Sequence, residues 1–173
     1  MSNLETVAQV GENEALKRTI ARLNSSEHAL VGPGDDSAVI SAPDGRFTVT
    51  TDTLIEGHDF KLDWSTGYDL GWKAVASNLA DVAAMGAVPT ALVVALSVPG
   101  TTPVSWLEHF ADGLKAACIA LAPGCGVVGG DHGLADGPGG VAAGVPVTVR
   151  RGDDARPQEH RRAVLQKRWH RTA

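Results

Sequence analysis

Residues 65–98 read STGYDLGWKAVASNLADVAAMGAVPTALVVALSV, a stretch that predicts a long helix followed by a buried strand. The serine and threonine that open it are suitable N-caps, and Gly86 stands where a helix ending near Met85 would stop. The continuous apolar run over 91–98 is typical of a strand buried on both faces. A helix packed beside a buried strand is the basic unit of a layered domain that contains both kinds of element.

The sequence on either side of this unit predicts further helices and strands. A short amphipathic helix is expected over 14–23, and a capping-box spacing between Ser105 and Glu108 predicts the start of another helix. Further strands are expected over the ranges 38–40, 47–54 and 127–128. This order predicts an α+β or α/β domain with helices packed on a sheet.

The distribution of charge separates an acidic body from a basic end. The 173 residues are enough for one domain, with a net charge of −5. Residues 1–140 hold 17 acidic against 7 basic side chains, whereas residues 141–173 hold 3 against 8. Nucleic acid requires a basic face, so we expect no nucleic-acid partner for the body. We interpret residues 150–173 as a disordered basic tail, with a helix over 161–169 as the alternative.

Other bulk features argue against a membrane protein and a disulfide-linked scaffold. No apolar run reaches the ~20 residues needed to cross a bilayer, and the N-terminus lacks the pattern of a signal peptide. We therefore expect a cytoplasmic protein without a membrane partner. The two cysteines, Cys118 and Cys125, match no zinc or redox spacing, and we expect buried free thiols.

Aspartates recur where the predicted strands begin or end. Ligands gather at strand ends in sheet-based folds. Carboxylates that cluster without Lys or Arg partners repel each other, and a hard cation such as Mg²⁺ or Ca²⁺ relieves that repulsion. Each aspartate alone is more typical of an ordinary turn or cap, and the sequence does not show whether the set converges. The set, with its neighbouring hydroxyls, is Asp35, Asp36, Ser37, Thr50, Thr51, Asp52 and Asp131.

Asp81 interrupts an otherwise apolar helix, where an unpaired charge facing the core would be strongly destabilising. Helical spacing places Asp81 in line with Lys73 and Ser77, with Asn78 beside them. This line is either a solvent-facing stripe or a polar face turned toward a metal and phosphate site.

Familiar nucleotide and nucleophile motifs are missing from the sequence. Residues 124–129 match G-x-G-x-x-G, but they follow a helix and enter a strand, the reverse of the order in dinucleotide-binding folds. There is no Walker motif, and the six histidines are scattered. A nucleotide would therefore be held through metal ions and the backbone amides of Gly-rich loops.

Four segments together resemble the motifs of the thiamine-monophosphate kinase family. They are GPGDDSAV (32–39), TTDTLIEG (50–57), SNLADVAAMGA (77–87) and GGD (129–131). That family belongs to the superfamily of aminoimidazole-ribonucleotide synthetase (PurM-like). The resemblance implies an α+β, PurM-like N-terminal domain over residues 1–131, with a mixed sheet, helices packed on one face and pairing as a homodimer.

The resemblance also implies ATP-dependent conversion of thiamine monophosphate to thiamine diphosphate, with Mg²⁺ as cofactor. Gly130 and Asp131 would lie beside ATP. The attacking phosphate has a second pKa of about 6 and is ionised near neutral pH, so no general base is needed. Catalysis would rest on in-line positioning and on charge neutralisation by Mg²⁺. The magnesium ligands implied by position are Asp36, Thr50, Thr51, Asp52, Asp81 and Asp131.

The chain departs from the family pattern in two places. The family reads E-G-x-H-F where this chain has EGHDF (56–60), so Asp59 takes the place of a substrate-contacting histidine and His58 precedes it. The match ends after Asp131, and we interpret residues 132–173 as a Gly- and Arg-rich tail, frame-shifted or disordered, in place of the family's second domain. We expect little kinase activity from the chain alone. The alternatives are another ATP-dependent PurM-like enzyme, of the hydrogenase-maturation or selenophosphate synthetase type, and a non-catalytic metal-binding or dimerisation remnant.

Overall fold

The computed structural model describes residues 5–34, 37–42, 45, 47–136 and 140–148. This part of the chain contains four helices and six strands. The helices are α1 Val7–Val10, α2 Glu12–Ile20, α3 Gly67–Ala84 and α4 Val104–Leu121. The strands are β1 Ala29–Val31, β2 Val39–Ile40, β3 Phe47–Ile55, β4 Ala91–Pro99, β5 Gly126–Ala135 and β6 Gly140–Thr148.

A four-stranded mixed sheet with the strand order β3-β6-β4-β5 forms the centre of the domain. β4 and β5 are parallel, while β6 runs antiparallel to both of its neighbours. β3, β4 and β5 therefore point in one direction, and their carboxyl ends lie at the same edge of the sheet. β1 and β2 form a separate antiparallel pair. The predicted mixed α and β architecture is confirmed.

The helices cover one face of the central sheet, and the opposite face, here called the outer face, is exposed. β4 shows the difference most clearly, because Leu96 and Val98 are buried while Ala95 and Ser97 are exposed. The prediction that β4 is buried on both faces is therefore wrong for its second half. A run of apolar residues shows that a strand is compatible with burial, but it does not show which faces are covered.

The start of α3 follows the predicted capping pattern. Thr66 Oγ1 accepts a hydrogen bond from the Asp69 N–H (3.2 Å), and the Asp69 carboxylate accepts from the Thr66 N–H (2.9 Å) and hydroxyl (2.7 Å). These hydrogen bonds hold the pKa of Asp69 below its ordinary value. The helix ends at Ala84, and Gly86 follows with a positive φ of 67°, as expected for a stop.

The start of α4 differs from the prediction. The N-cap is Pro103, no side chain caps the helix, and Ser105 lies within the first turn. The backbone just before α1 takes part in this start, because the Val104 N–H donates to the Glu5 carbonyl at 2.9 Å. A distant backbone acceptor thus satisfies the N–H group of the first helical residue, and the helix begins at Val104, before the predicted serine cap.

α3 and α4 pack with their backbones in close contact. A Cβ atom on Gly71 would lie 2.9 Å from the Leu114 nitrogen and closer still to the Phe110 carbonyl oxygen. On the facing side, a Cβ on Gly113 would lie 2.9 Å from the Tyr68 carbonyl carbon. Only glycine fits at these two positions without moving a backbone.

The central sheet extends beyond Asp131, where the motif pattern places the end of the domain. β5 continues to Ala135, and β6 inserts between β3 and β4 in the sheet. Gly133, Gly140 and Gly144 therefore lie within strands. Residues 149–173, including the helix expected over 161–169, lie outside the described residues. Within the described ranges, no helix is long and apolar enough to cross a membrane.

Candidate active site

The Thr50-Thr51-Asp52 segment lies in the middle of β3, whereas the sequence places Asp52 at the end of a strand. Thr50 and Asp52 are half-buried on the helix-covered side, and Thr51 is exposed on the outer face. Asp52 Oδ1 accepts a hydrogen bond from the Thr53 N–H at 2.9 Å. Among the described strands β3 pairs only with β6, so this bond satisfies an N–H group on an open sheet edge.

The Gly130-Asp131 pair lies in the middle of β5, so the prediction that Asp131 ends a strand is also wrong. A Cβ on Gly130 would lie 2.6 Å from the Val94 carbonyl carbon, and its φ of 155° is also unusual for other residues. Asp131 is exposed, and its Oδ1 accepts a hydrogen bond from the His132 N–H at 2.9 Å. Glycine thus lets β5 approach β4 closely beside the exposed carboxylate.

Asp52 and Asp131 lie on opposite edges of the sheet. The register aligns Asp52 on β3 with Val94 on β4 through β6, and Val94 in turn with Gly130 on β5. Three strand spacings of 4.7–4.9 Å separate these edges by about 14 Å. Oxygen ligands of one Mg²⁺ lie within about 2.1 Å of the ion. A single chain therefore does not bring these two carboxylates to one cation.

Asp81 lies on α3, which packs against β3 and β6. The side chain is half-buried, as is Ser77 one turn earlier, whereas Lys73 is exposed. Lys73 Nζ donates to the Asp59 carbonyl oxygen, and no ion pair with Asp81 is found among the described residues. At one end of the row of polar side chains on α3, Lys73 contacts the loop after β3. At the other end, the Asp81 carboxylate has no ion-pair partner among the described residues.

Asp59 and His58, predicted to contact substrate, lie in a tight loop after β3, and both are exposed. Asp59 Oδ2 accepts a hydrogen bond from the Ile55 N–H at 2.8 Å, and the Asp59 N–H donates back to the Ile55 carbonyl at 2.8 Å. The carboxylate that replaces the family's histidine is thus held by the backbone of its own loop.

The donor atoms of the predicted site fit a hard cation in type, although the described residues do not gather them. The four ion pairs of the described chain involve only Arg18 and Arg22, so no Lys or Arg neutralises Asp52, Asp81 or Asp131. No group of three or more His, Cys, Asp or Glu residues in the described ranges lies close enough to hold a metal ion. Asp36 lies outside those ranges.

A cavity of about 240 Å³ at the carboxyl edge of the sheet was not predicted. Its walls come from the loop after β3, the end of β4 and the start of α4. Phe60, Leu70 and Trp106 contribute apolar surface, and Glu56 contributes a carboxylate. The segments that form the cavity are far apart in sequence, so periodicity and motif spacing gave no signal for it.

Among the described residues, three side chains have buried polar atoms without a hydrogen-bond partner: Asn24, whose Oδ1 accepts none, Asn78 and His132. Asn78 on α3 donates to the Ala74 carbonyl at 2.9 Å, but its Oδ1 accepts no hydrogen bond. Both ring nitrogens of His132 on β5 are buried without a partner, and burial lowers the pKa of this histidine. Strand alternation after the GGD motif would have placed His132 on the covered face had β5 been predicted to continue.

Cys118 and Cys125 are buried free thiols, as predicted. Cys118 lies near the end of α4, and Cys125 lies just before β5. The two thiols are hydrogen-bonded to each other, and this bond together with burial raises the pKa of Cys125. The pair packs within the hydrophobic core.

A comparison of the sequence with known protein families identifies the family of this chain. Residues 34–148 match the family described as AIR synthase related protein, N-terminal domain. The match covers more than half of the chain, so the chain belongs to this family.

Particular relatives carry a more specific description. Thiamine-monophosphate kinase of Mycobacterium tuberculosis (strain ATCC 25618 / H37Rv) is 43% identical over 126 residues, which are 73% of this chain and 37% of that protein. The crystal structure of thiamine-monophosphate kinase from Stenotrophomonas maltophilia K279a is 34% identical, with a TM-score of 0.63 over 81% of this chain and 42% of that one. AaThiL complexed with AMPPCP and TMP is 26% identical, with a TM-score of 0.56 over 84% of this chain and 44% of that one. The resemblance to thiamine-monophosphate kinases is confirmed, and the chain spans little more than a third of the M. tuberculosis protein.

Proposed function

We propose that this chain is the ATP- and magnesium-binding N-terminal part of a thiamine-monophosphate kinase. The observation that carries the proposal is the 43% identity to the M. tuberculosis enzyme of that name. The AaThiL relative is complexed with AMPPCP, an ATP analogue, and with TMP. We therefore take ATP and thiamine monophosphate as the two substrates. Both relatives favour this function over a hydrogenase-maturation or selenophosphate synthetase activity.

The chemistry of the side chains supports a magnesium site. Asp52, Asp81 and Asp131 are carboxylates without a Lys or Arg partner in the described chain, and Thr50 and Thr51 add hydroxyl oxygens. Oxygen donors of this kind suit Mg²⁺. Bound there, Mg²⁺ would neutralise charge between the two phosphate-bearing substrates. Asp36 completes the proposed ligand set.

The chain's own contribution to phosphoryl transfer is to position the substrates. The accepting phosphate is already ionised near neutral pH, with a second pKa of about 6, so no side chain has to remove a proton from it. Gly130 lets β5 lie close to Val94 of β4, and the exposed Asp131 carboxylate follows it at the edge where we propose that ATP binds. An in-line arrangement held by the site would supply the main rate acceleration.

We further propose that two copies of the chain complete each cation site. Asp52 and Asp131 cap N–H groups on opposite open edges of the described sheet, so their carboxylates lie far apart in one chain. If the β5 edge of one copy meets the β3 edge of another, Asp131 approaches Asp52 of the second copy. The apolar outer face supports such a homodimer, since Phe47 and Val49 expose 65% and 55% of their surface.

Subunit complementation tests this arrangement. Asp52→Ala and Asp131→Ala chains should each lose Mg²⁺–ATP binding in calorimetric titration. Mixing them after partial denaturation and refolding should restore binding to about a quarter of the sites, since half of the dimers are mixed and each has one site with both aspartates. If mixing restores no Mg²⁺–ATP binding, each site lies within one chain. Binding that survives in both single variants would refute the assignment of these ligands.

A surface variant tests the role of the outer face. Val49→Lys should make the chain monomeric in analytical ultracentrifugation and abolish Mg²⁺–ATP binding. Leu30→Lys is the matched control, because Leu30 is an exposed apolar residue on β1. A monomeric Val49→Lys chain that binds Mg²⁺–ATP normally would contradict the shared site.

The chain alone should form little thiamine diphosphate. Chromatography of the products from purified chain, ATP, Mg²⁺ and thiamine monophosphate measures this directly. Turnover comparable to that of a longer relative would refute the expectation. Failure to bind Mg²⁺–ATP at millimolar concentration would instead favour a non-catalytic dimerisation remnant.

A further inference from the structure

The cavity at the carboxyl edge of the sheet is held between two loops that backbone hydrogen bonds fix in place. In the loop after β3, the Gly57 N–H donates to the Phe60 carbonyl at 2.8 Å, and Lys73 on α3 donates to the Asp59 carbonyl. In the loop after β4, the Thr102 N–H donates to the Pro99 carbonyl at 2.9 Å. Backbone N–H groups of α1 also donate hydrogen bonds to carbonyl groups of this second loop. The cavity is therefore largely preformed.

The lining of the cavity combines aromatic surface with one carboxylate. Phe60 and Trp106 lie on its walls, and Trp106 stacks on Phe110 with ring planes 5° apart, which fixes the orientation of its indole. Glu56 is half-buried at the cavity and makes no hydrogen bond or ion pair with the described residues. Aromatic walls with an unpaired carboxylate suit a flat heteroaromatic ring that carries an N–H donor.

The cavity lies at a defined distance from the proposed cation site. Asp52 and Glu56 are four residues apart, on the same side of β3 and its continuation, because both are half-buried like Thr50. Four residues of extended chain span about 13 Å. A ligand whose phosphate lies near Asp52 would reach the cavity only with the end that is distal to the phosphate. The volume of 240 Å³ is enough for one ring of such a ligand.

We propose that this cavity binds the aminopyrimidine ring of the phosphate acceptor, with the Glu56 carboxylate accepting a hydrogen bond from its exocyclic amino group. The inference rests on the proposed function, because thiamine monophosphate carries its aminopyrimidine at the end distal to the phosphate. It assigns to Glu56 and Trp106 the recognition that the family pattern gives to the histidine replaced by Asp59. Asp59 is engaged with the Ile55 backbone and leaves that role open.

The test compares thiamine with oxythiamine, in which a carbonyl oxygen replaces the amino group. Calorimetric titration of the 173-residue chain with thiamine, which has no phosphate, should give binding about tenfold tighter than oxythiamine, because a hydrogen bond to a carboxylate is lost. Glu56→Gln should abolish this preference, whereas Glu27→Gln, an exposed carboxylate elsewhere, should retain it. Equal affinity of the wild-type chain for the two ligands would overturn the role of Glu56.

A second variant fills the cavity without altering the core. Leu62 lines the cavity and exposes 47% of its surface, so Leu62→Trp should fold and reduce thiamine affinity by about tenfold or more. Leu30→Trp makes the same change at an exposed leucine outside the cavity and should leave binding unchanged. Unaltered thiamine binding in Leu62→Trp, or amide shifts in NMR spectra that avoid the cavity lining, would overturn the site.

Titration with Mg²⁺–ATP separates this inference from the proposed function. Nucleotide binding without thiamine binding would overturn the ring site and leave the kinase assignment intact. Thiamine binding with the predicted preference but without nucleotide binding would support the ring site and count against the kinase assignment.

Discussion

Replacing Gly71 by alanine sets helix propensity against helix packing. Alanine is favoured over glycine by about 1 kcal/mol in a helix interior, so propensity alone predicts a more stable protein. The structure predicts the opposite, because the new Cβ would lie 2.9 Å from the Leu114 nitrogen and 3.1 Å from the Phe110 carbonyl carbon. Carbon contacts are favourable at about 3.5–4.0 Å, so α3 and α4 would have to separate by roughly 1 Å.

The net effect follows from the two opposing contributions. Overpacking typically costs 1–3 kcal/mol, and the upper value applies here because the obstacle is backbone that cannot change rotamer. Subtracting the propensity gain leaves a loss of about 2 kcal/mol in the free energy of unfolding. For a chain of this size, that corresponds to a fall in Tm of roughly 4–8 °C.

Urea unfolding followed by circular dichroism measures the free energy change, and thermal scans measure Tm. Gly113→Ala should show a similar loss from the facing helix, because its Cβ would collide with the Tyr68 backbone. Ala83→Gly, at an exposed position on α3, is the control for propensity and should cost about 1 kcal/mol. A Gly71→Ala protein as stable as the wild type, or more stable, would refute the close packing of the two helices.

Further predictions concern the α3 cap, the buried thiols and β5. Asp69→Asn should be less stable than the wild type at pH 6, and the difference in the free energy of unfolding should fade below about pH 4. The fold lowers the pKa of Asp69. The stabilisation by its carboxylate is therefore present above the ordinary carboxyl pKa and is lost as the pH falls through the lowered value. Equal pH–stability curves for Asp69→Asn and wild type would contradict this, and Asp63→Asn is the control. Cys118 and Cys125 should react with a thiol reagent only at the rate of unfolding, because both are buried; rapid modification of the native chain would show otherwise. Gly130→Ala should destabilise by about 1–3 kcal/mol in urea unfolding through its collision with Val94, whereas an unchanged midpoint would argue against that contact.

The sequence predicts the elements of this fold better than their arrangement. Apolar periodicity and Gly86 define α3 and β4 because both signals are local. The insertion of β6 between β3 and β4 depends on pairing between residues about 90 positions apart, as in Thr50 with Val145, and no local pattern reports it. The insertion also adds one strand to the distance between β3 and β5, the two edges of the described sheet.

The candidate site shows the same limit. The motifs identify Asp52 and Asp131 as candidate residues, but the glycines before Asp131 suggested the end of a strand. In the structure these glycines lie inside β5, and Gly130 allows the close approach of this strand to Val94 on β4. The distance between the two aspartates depends on the order of the strands in the sheet. The cavity beside Glu56 is formed by three segments that are far apart in the sequence. Residue type predicted the chemistry of the site, and tertiary packing determines which residues can act together.

The aspartates on the two open edges of the sheet also affect how the protein behaves at high concentration. Exposed edge strands offer unpaired N–H groups to other chains and promote uncontrolled association. Asp52 and Asp131 each occupy one such N–H with a charged side chain, and Asp59 does the same at the end of β3. These carboxylates therefore disfavour direct pairing of edges between molecules unless a cation lies between the two charges, as in the proposed homodimer. Neutralising them would expose the chain to fibrillar aggregation.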